Sequence, residues 1–155
     1  MFFLKNNKKE KDGRFWFQKN PKLYIDEEKQ IKQRFAGAEK NVENGVLSFF
    51  VPTYKTIGNT SEELSFQLVY PVEYDINKEI KIYFINPELN SLLGDNINDF
   101  PYVEIDSAGE SFLQLSKTLP NDKISGMEVI RKMYVWLQKY QEWKNNSINI
   151  KDIKI

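Results

Sequence analysis

Three segments in the first half of the chain carry strand patterns. Residues 63–70 alternate between apolar and polar side chains, and residues 79–84 repeat that alternation. Residues 45–52 are rich in β-branched and aromatic side chains. A period of two is typical of a strand with one buried face. The short links at 53–62 and 71–78 favour antiparallel neighbours, so these segments predict a β-meander of three or four strands.

Two helices are predicted to flank this meander. Residues 26–35 open with acidic side chains, which suit the positive end of a helix. Residues 125–144 begin with Ser125 and carry Glu128 three positions later, which is the pattern of a capping box. The apolar stripe that follows is wide, so this C-terminal amphipathic helix is predicted to be buried on more than one side. The fold class predicted from these elements is α+β.

The remaining segments carry weaker patterns. The aromatic run 15–17 predicts an edge strand or a segment that docks its rings in the core. Residues 86–124 sustain no period, although 102–115 within them could form a short strand or hairpin. The charged run 5–13 predicts a solvated turn or flexible arm, and the Ile-containing tail 146–155 predicts either an added strand or a mobile end.

The whole chain, residues 1–155, is predicted to be one domain, since its length fits the common domain size. The core is expected at about 14–145, with 1–13 and 146–155 flexible or peripheral. Hydrophobic residues make up 41% of the chain and aromatic residues 14%, which is enough to exclude global disorder.

The charge balance bears on the partner class. Lys and Arg total 22, as do Asp and Glu, and a net charge of zero argues against general binding to nucleic acid or an anionic membrane. No apolar run approaches the ~18 residues of a membrane helix, and the first residues form too short an apolar run for a signal peptide. We therefore expect a cytoplasmic protein that binds neither nucleic acid nor membrane.

The chain contains no cysteine and no histidine. This excludes disulfides, thiolate nucleophiles, zinc sites built on those residues and Ser-His-Asp triads. Any catalysis would depend on carboxylates, Lys, Tyr or Ser, so the sequence leaves open whether the protein is an enzyme. The glycines are scattered and form no phosphate-binding motif, and no cofactor is expected.

A calcium loop is the metal site that the acidic residues first suggest. Asp95, Asp99, Glu104 and Asp106 lie close together in the sequence. An EF-hand requires Gly at its sixth position and Glu at its twelfth, and counting from Asp95 gives Phe100 and Asp106 there. The pattern fails, so a solvated acidic loop is predicted and no metal is expected.

Ser111 is the candidate nucleophile, because it follows Gly109 and Glu110 in an irregular segment. It lacks a histidine partner, and the sequence cannot place a lysine beside it. The favoured interpretation is a hydroxyl in an exposed loop that bonds to the local backbone.

Several segments, together covering about residues 20–145, share their character with one known family. They are 25–35 with 45–47, 70–74 (YPVEY), 80–84 (IKIYF) with Pro87, 101–103 leading to 109–113, and 135–143 (VWLQKYQEW). Their order resembles that of the bacterial ubiquitin-conjugating-enzyme-like family. The resemblance implies the UBC fold, in which an N-terminal helix, a meander, a long active-site loop and a closing helix follow one another.

The departures from that family concern its chemistry. Members carry a modifier as a thioester on a cysteine thiolate. The aligned position here is Phe112, or Ser111 if the loop is one residue shorter, and neither side chain forms a thioester. The family's histidine is also missing, and Tyr102 lies nearest to its position.

The resemblance thus implies a non-catalytic adaptor that binds a protein partner in a bacterial conjugation or phage-defence pathway. The partner would be a ubiquitin-like modifier, an activating enzyme or a nucleotidyltransferase. The implied contact surfaces are the loop 101–116 and the exposed side of the helix 26–35. The implied binding residues within the loop are Tyr102, Gly109, Glu110, Ser111 and Phe112.

Two alternatives stay open. The chain could be an active conjugating enzyme represented by a Cys-to-Ser variant, in which Ser111 holds the catalytic position. It could also be an unrelated small interaction protein of phage or bacterial origin.

Overall fold

The computed structural model of this chain describes residues 13–57 and 60–155. In this part of the chain six strands form one antiparallel sheet in the order β1-β2-β3-β4-β6-β5. The strands are β1 (Glu39–Glu43), β2 (Val46–Ile57), β3 (Thr60–Val69), β4 (Lys81–Asn86), β5 (Val103–Ile105) and β6 (Ser111–Leu113).

Four helices accompany the sheet in the described residues. They are α1 (Trp16–Lys19), α2 (Pro21–Arg34), α3 (Leu89–Leu93) and α4 (Gly126–Lys144). The α+β class is therefore confirmed. Both predicted helices are present, but α2 begins at Pro21 rather than at Asp26, so the acidic residues 26–28 lie within the helix and not at its positive end. At α4 the Ser125 hydroxyl accepts a hydrogen bond from the Glu128 N–H at 3.2 Å, as the cap pattern predicted.

The sheet has six strands rather than the predicted three or four. The pattern missed β1 because all five of its side chains are exposed and show no apolar alternation. It left β5 and β6 undefined because each has only three residues, although a hairpin was anticipated within 102–115. The strand predicted at 45–52 continues to Ile57, because its ladder with β3 extends to the pair Ile57 with Thr60. Pro52 is tolerated because β1 pairs with β2 only as far as Phe50, so one side of β2 is an edge there.

The segment 15–17 is not an edge strand. It begins α1, in which the Gln18 side chain accepts a hydrogen bond from the Phe15 N–H at 2.8 Å. The alternative prediction, that this segment docks a ring in the core, holds for Trp16. Its ring is buried, and its centroid lies 4.9 Å from that of Tyr74. The predictions for residues 5–12 and for residues 58–59 of the link at 53–62 lie outside the described residues. The rest of that predicted link is strand, since β2 extends to Ile57 and β3 begins at Thr60.

Both long helices pack on one face of the sheet, which we call the inner face. Alternation along β2, β3 and β4 directs Phe49, Phe66 and Phe84 to this face, and all three are buried. The Phe66 ring meets Phe35 beside α2, and Trp136 of α4 meets Phe84 edge-on at 5.8 Å. Burial of this apolar surface is the main force that holds the two helices on the sheet.

A buried carboxyl group joins α2, the sheet and α4. Glu27 of α2 accepts hydrogen bonds from the Tyr70 hydroxyl at 2.6 Å, the Tyr74 hydroxyl at 3.3 Å and the Gly126 N–H at 2.8 Å. The negative carboxylate thus lies at the positive N-terminal end of α4. Gly126 is required there, because a Cβ atom would come within 2.3 Å of the Tyr70 hydroxyl.

The second half of the chain is less regular but is well anchored. Short 3₁₀ turns form at Gly94–Asn96, Ser116–Thr118, Asn121–Lys123 and Ile150–Asp152, and in the tail Ile153 is buried against the core. The tail adds no strand to the sheet. None of the helices in the described residues has the length and apolar character needed to cross a membrane.

Candidate functional site

The sheet opens between β4 and β6. These strands share a single residue pair, Ile82 with Leu113, so Phe84 and Ser111, which lie two positions further along the same register, are not paired. A cleft with a cavity volume of about 530 Å³ lies at this opening, and we call it the β4–β6 cleft. It is lined by Gln67, Val69, Tyr83, Phe84, Ile85, Glu88, Leu89, Asn90, Gly109, Glu110 and Ser111.

The cleft lies on the outer face of the sheet, opposite the two long helices. Gln67, Val69 and Tyr83 alternate with the buried residues of β3 and β4, so their side chains point away from the core. Ile85 on the same face is 45% exposed. An exposed aliphatic side chain beside a cleft offers an apolar contact to a ligand.

Asp106 shapes the wall that β6 contributes. One carboxylate oxygen, Oδ1, accepts hydrogen bonds from the N–H groups of Ala108 and Glu110, each at 2.9 Å. Gly109 completes this turn at a φ of 84°, a left-handed conformation for which glycine is suited. The turn thereby fixes the backbone direction with which Gly109, Glu110 and Ser111 enter the cleft.

Tyr83 ties this turn to the sheet. Its hydroxyl donates a hydrogen bond to the other Asp106 oxygen, Oδ2, at 2.8 Å. Partial burial and this bond raise the pKa of Tyr83, so the hydroxyl stays protonated as a donor. The Glu110 N–H, with help from Tyr83, Ala108 and Lys81, lowers the pKa of the Asp106 carboxyl. A charged acceptor strengthens the hydrogen bonds that hold the turn.

The structure brings three of the five sequence-predicted binding residues together. Gly109, Glu110 and Ser111 line the cleft. Phe112 alternates with the core residue Leu113, so its side chain lies on the outer face, but it is only 3% exposed because its ring packs beside Tyr83 at 5.4 Å and under the Lys81 ammonium at 4.7 Å.

Tyr102 lies outside the cleft lining. It is half-buried with a φ of 69°, and its hydroxyl accepts a hydrogen bond from the N–H of Ile155 at 3.4 Å. Tyr102 therefore contacts the C-terminal tail, and this hydrogen bond helps to hold the tail against the domain.

Ser111 differs from its sequence prediction, since it is the half-buried first residue of β6 rather than part of an exposed loop. Within the described residues its hydroxyl makes no hydrogen bond, either to the local backbone or to a side chain. A serine nucleophile requires a base within about 3 Å, and no such base accompanies this hydroxyl in the described structure.

Sequence reasoning missed the other side of the cleft. Ile85, Glu88 and Asn90 follow one another at the end of β4 and the start of α3, and Gln67 and Val69 come from β3. The alternation along β3 did assign Gln67 to the face away from the core. No local pattern shows, however, that β4 and β6 separate beside it.

Two further predictions concern other surfaces. The exposed side of α2 includes Ile25, which is 56% exposed, and α2 packs on the opposite face of the sheet from the cleft.

Across the described residues, acidic side chains nowhere gather in a group of three or more that could hold a metal ion. Asp106, counted among the candidate calcium ligands, instead bonds to its own turn and to Tyr83.

No protein-family model, curated protein or solved structure matches this chain.

Proposed function

We propose that this protein is a binding adaptor that docks a partner polypeptide in the β4–β6 cleft and performs no chemistry of its own. The observation that carries the proposal is the opening of the sheet beside the exposed Ile85. Extended peptides commonly bind where strands leave room for another backbone, with pockets that receive alternate side chains.

The chemistry of the cleft favours binding over catalysis. The Ser111 hydroxyl has no base or other hydrogen-bond partner among the described residues, and the lining residues supply apolar contacts, amide groups and the carboxylates of Glu88 and Glu110. Asn90 offers an amide that can pair with a bound backbone, and Gln67, whose Nε2 donates to the Ser48 hydroxyl at 3.0 Å, keeps its amide oxygen as an acceptor. Such a mixture of apolar and precisely placed polar groups is typical of ligand sites.

The pathway is the further part of the proposal. It rests on the resemblance to bacterial ubiquitin-conjugating-enzyme-like proteins, which suggests a ubiquitin-like modifier, an activating enzyme or a nucleotidyltransferase as the partner. Three of the residues that the resemblance singled out, Gly109, Glu110 and Ser111, lie in the cleft.

The test compares partner capture from the native host by three proteins. These are the wild type, an Ile85→Asp variant and an Ile105→Asp variant. Ile105 is the matched control, since it is 55% exposed on β5 but does not line the cleft. We expect a partner that wild type and Ile105→Asp retain and Ile85→Asp loses, and mass spectrometry then classifies it.

Each result bears on one part of the proposal. A modifier, activating enzyme or nucleotidyltransferase supports both the docking function and the pathway. A different protein lost only by Ile85→Asp supports docking and removes the pathway. Capture that is insensitive to Ile85, or the absence of any retained protein, contradicts the adaptor function.

A further inference from the structure

The charge of the β4–β6 cleft points to the chemistry of its occupant. Glu88 and Glu110 contribute a carboxylate from each side, and no lysine or arginine is among the lining residues. Neither carboxylate has an ion-pair or hydrogen-bond partner in the described part of the chain. The two negative charges are therefore available to a ligand.

The other charged groups near the cleft are already engaged. Asp106 is held by Tyr83 and by the N–H groups of its own turn. Lys81 lies over the Phe112 ring, and its positive charge contributes to the lowered pKa of Asp106. Glu63, one strand away, accepts a hydrogen bond from the Asn86 amide at 2.7 Å.

The shape of the cleft favours an extended chain. Its two sides are the ends of strands that have parted, with Phe84 on one and Ser111 on the other. Tyr83 and Ile85 provide apolar contact along the β4 side. A strand-like segment places alternate side chains on opposite sides, so one can reach the carboxylates while its neighbour meets the apolar wall.

We infer that the β4–β6 cleft binds an extended segment of the partner that carries lysine or arginine, held between Glu88 and Glu110. This inference rests on the proposed docking function and adds the class of its ligand. Arginine suits the site especially, because its planar guanidinium can donate to carboxylates from more than one N–H group.

The experiment selects ligands from a displayed library of random ten-residue peptides and measures the binding of the enriched peptides by fluorescence anisotropy. Variants are Glu88→Gln/Glu110→Gln for the carboxylates and Ile85→Asp for the cleft as a whole. Glu39→Gln/Glu43→Gln is the matched control, since these exposed carboxylates lie on β1 at the far edge of the sheet. A thermal melt of each variant verifies folding.

We expect enrichment of lysine and arginine over the input library. Hydrogen bonds to a charged group are stronger than neutral ones, so removing both charges should weaken binding about tenfold or more. The Glu88→Gln/Glu110→Gln variant should therefore bind the selected peptides much more weakly, whereas Glu39→Gln/Glu43→Gln should bind like wild type.

The remaining outcomes separate the two proposals. Peptides that lack basic residues but depend on Ile85 would overturn the cationic ligand and leave docking in the cleft intact. Basic peptides that bind Glu88→Gln/Glu110→Gln as well as Glu39→Gln/Glu43→Gln, but do not bind Ile85→Asp, would also overturn the cationic ligand and leave docking intact. A library with no peptide dependent on Ile85 would overturn both the ligand class and the docking function.

Discussion

The two faces of the sheet use carboxyl groups in opposite ways. On the inner face Glu27 is buried and accepts hydrogen bonds from Tyr70, Tyr74 and the first turn of α4. On the outer face Glu88 and Glu110 are exposed and have no partner in the described structure. A buried polar group must be satisfied within the fold, whereas an exposed carboxylate is solvated and imposes no such demand. The inner carboxyl therefore serves stability, and the outer pair stays available for binding.

The largest expected effect is on the inner face, at Trp136. Its ring is fully buried, stacks on Tyr140 at 5.8 Å and meets Phe84 and Phe100 edge-on. Trp136→Ala should lower the free energy of unfolding by about 3–5 kcal/mol, because the neighbours cannot close the cavity. Denaturant unfolding followed by circular dichroism measures this loss.

The neighbouring Val135 provides the control for Trp136. It lies on the same helix but is 38% exposed, so Val135→Ala should change the free energy of unfolding by about 0.5 kcal/mol or less. Equal losses at the two positions would show that α4 does not direct Trp136 into the core.

Glu27→Ala tests whether the buried carboxyl serves stability. Removal leaves the Gly126 N–H and the two tyrosine hydroxyls without their acceptor. Each unsatisfied buried group costs about 1–3 kcal/mol, and partial relaxation suggests a total loss of about 3 kcal/mol. Urea unfolding of the variant gives the value.

Glu28→Ala is the matched control for that change. Glu28 is the next residue of α2 and pairs at the surface with Lys32 at 3.0 Å and Lys40 at 3.6 Å. Surface pairs of this kind contribute about 0–1 kcal/mol. If Glu28→Ala were as destabilising as Glu27→Ala, burial would not be what distinguishes the two carboxyl groups.

The inner face was the more predictable from sequence, since its determinants are periodic. The alternation in 63–70 repeats over several residue pairs and predicts β3. The wide apolar stripe in 125–144 repeats over several helical turns and predicts α4. The Glu27 cluster was not foreseen, because it joins residues 27, 70, 74 and 126 through the tertiary fold. A glutamate in an acidic run gives no sign of its own burial.

The outer face was predictable only in part. The resemblance drew attention to Gly109–Ser111, but the cleft depends on the point at which the β4–β6 ladder ends. Beside it, the bond from Tyr83 to Asp106 ties the local Asp106 turn to β4 across 23 positions of the sequence. A pattern of apolar and polar positions does not encode such contacts, and strands of three residues are too short to show a period.

A smaller effect is expected on the outer face at Asp106. Asp106→Asn removes the charge that accepts from Tyr83 and two N–H groups, and should lower the free energy of unfolding by about 1 kcal/mol at neutral pH. The pKa of this carboxyl is lowered in the folded protein from the ordinary value of 3.8. Its stabilisation is thus present above that pH and is lost as the pH falls through the folded pKa.

The acid limb of the stability curve provides the measurement for Asp106. Urea unfolding between about pH 2 and 7 should show a gap between wild type and Asp106→Asn that is widest at neutral pH and narrows below about pH 4. A gap that stays constant across this range would mean that the charge of Asp106 is not what holds the turn.

The smallest effect is expected at Ser111, in the cleft itself. Its hydroxyl has no hydrogen-bond partner in the described residues, so Ser111→Ala should alter the free energy of unfolding by about 0.5 kcal/mol or less. Chemical denaturation measures this directly, with Trp136→Ala as the destabilised reference. A loss above about 1 kcal/mol would reveal a bonded hydroxyl.

The Ser111→Ala variant should also retain its partner, because an adaptor needs the wall that Ser111 forms rather than its oxygen. A variant that folds normally but loses its partner would instead place that oxygen in direct contact with the ligand.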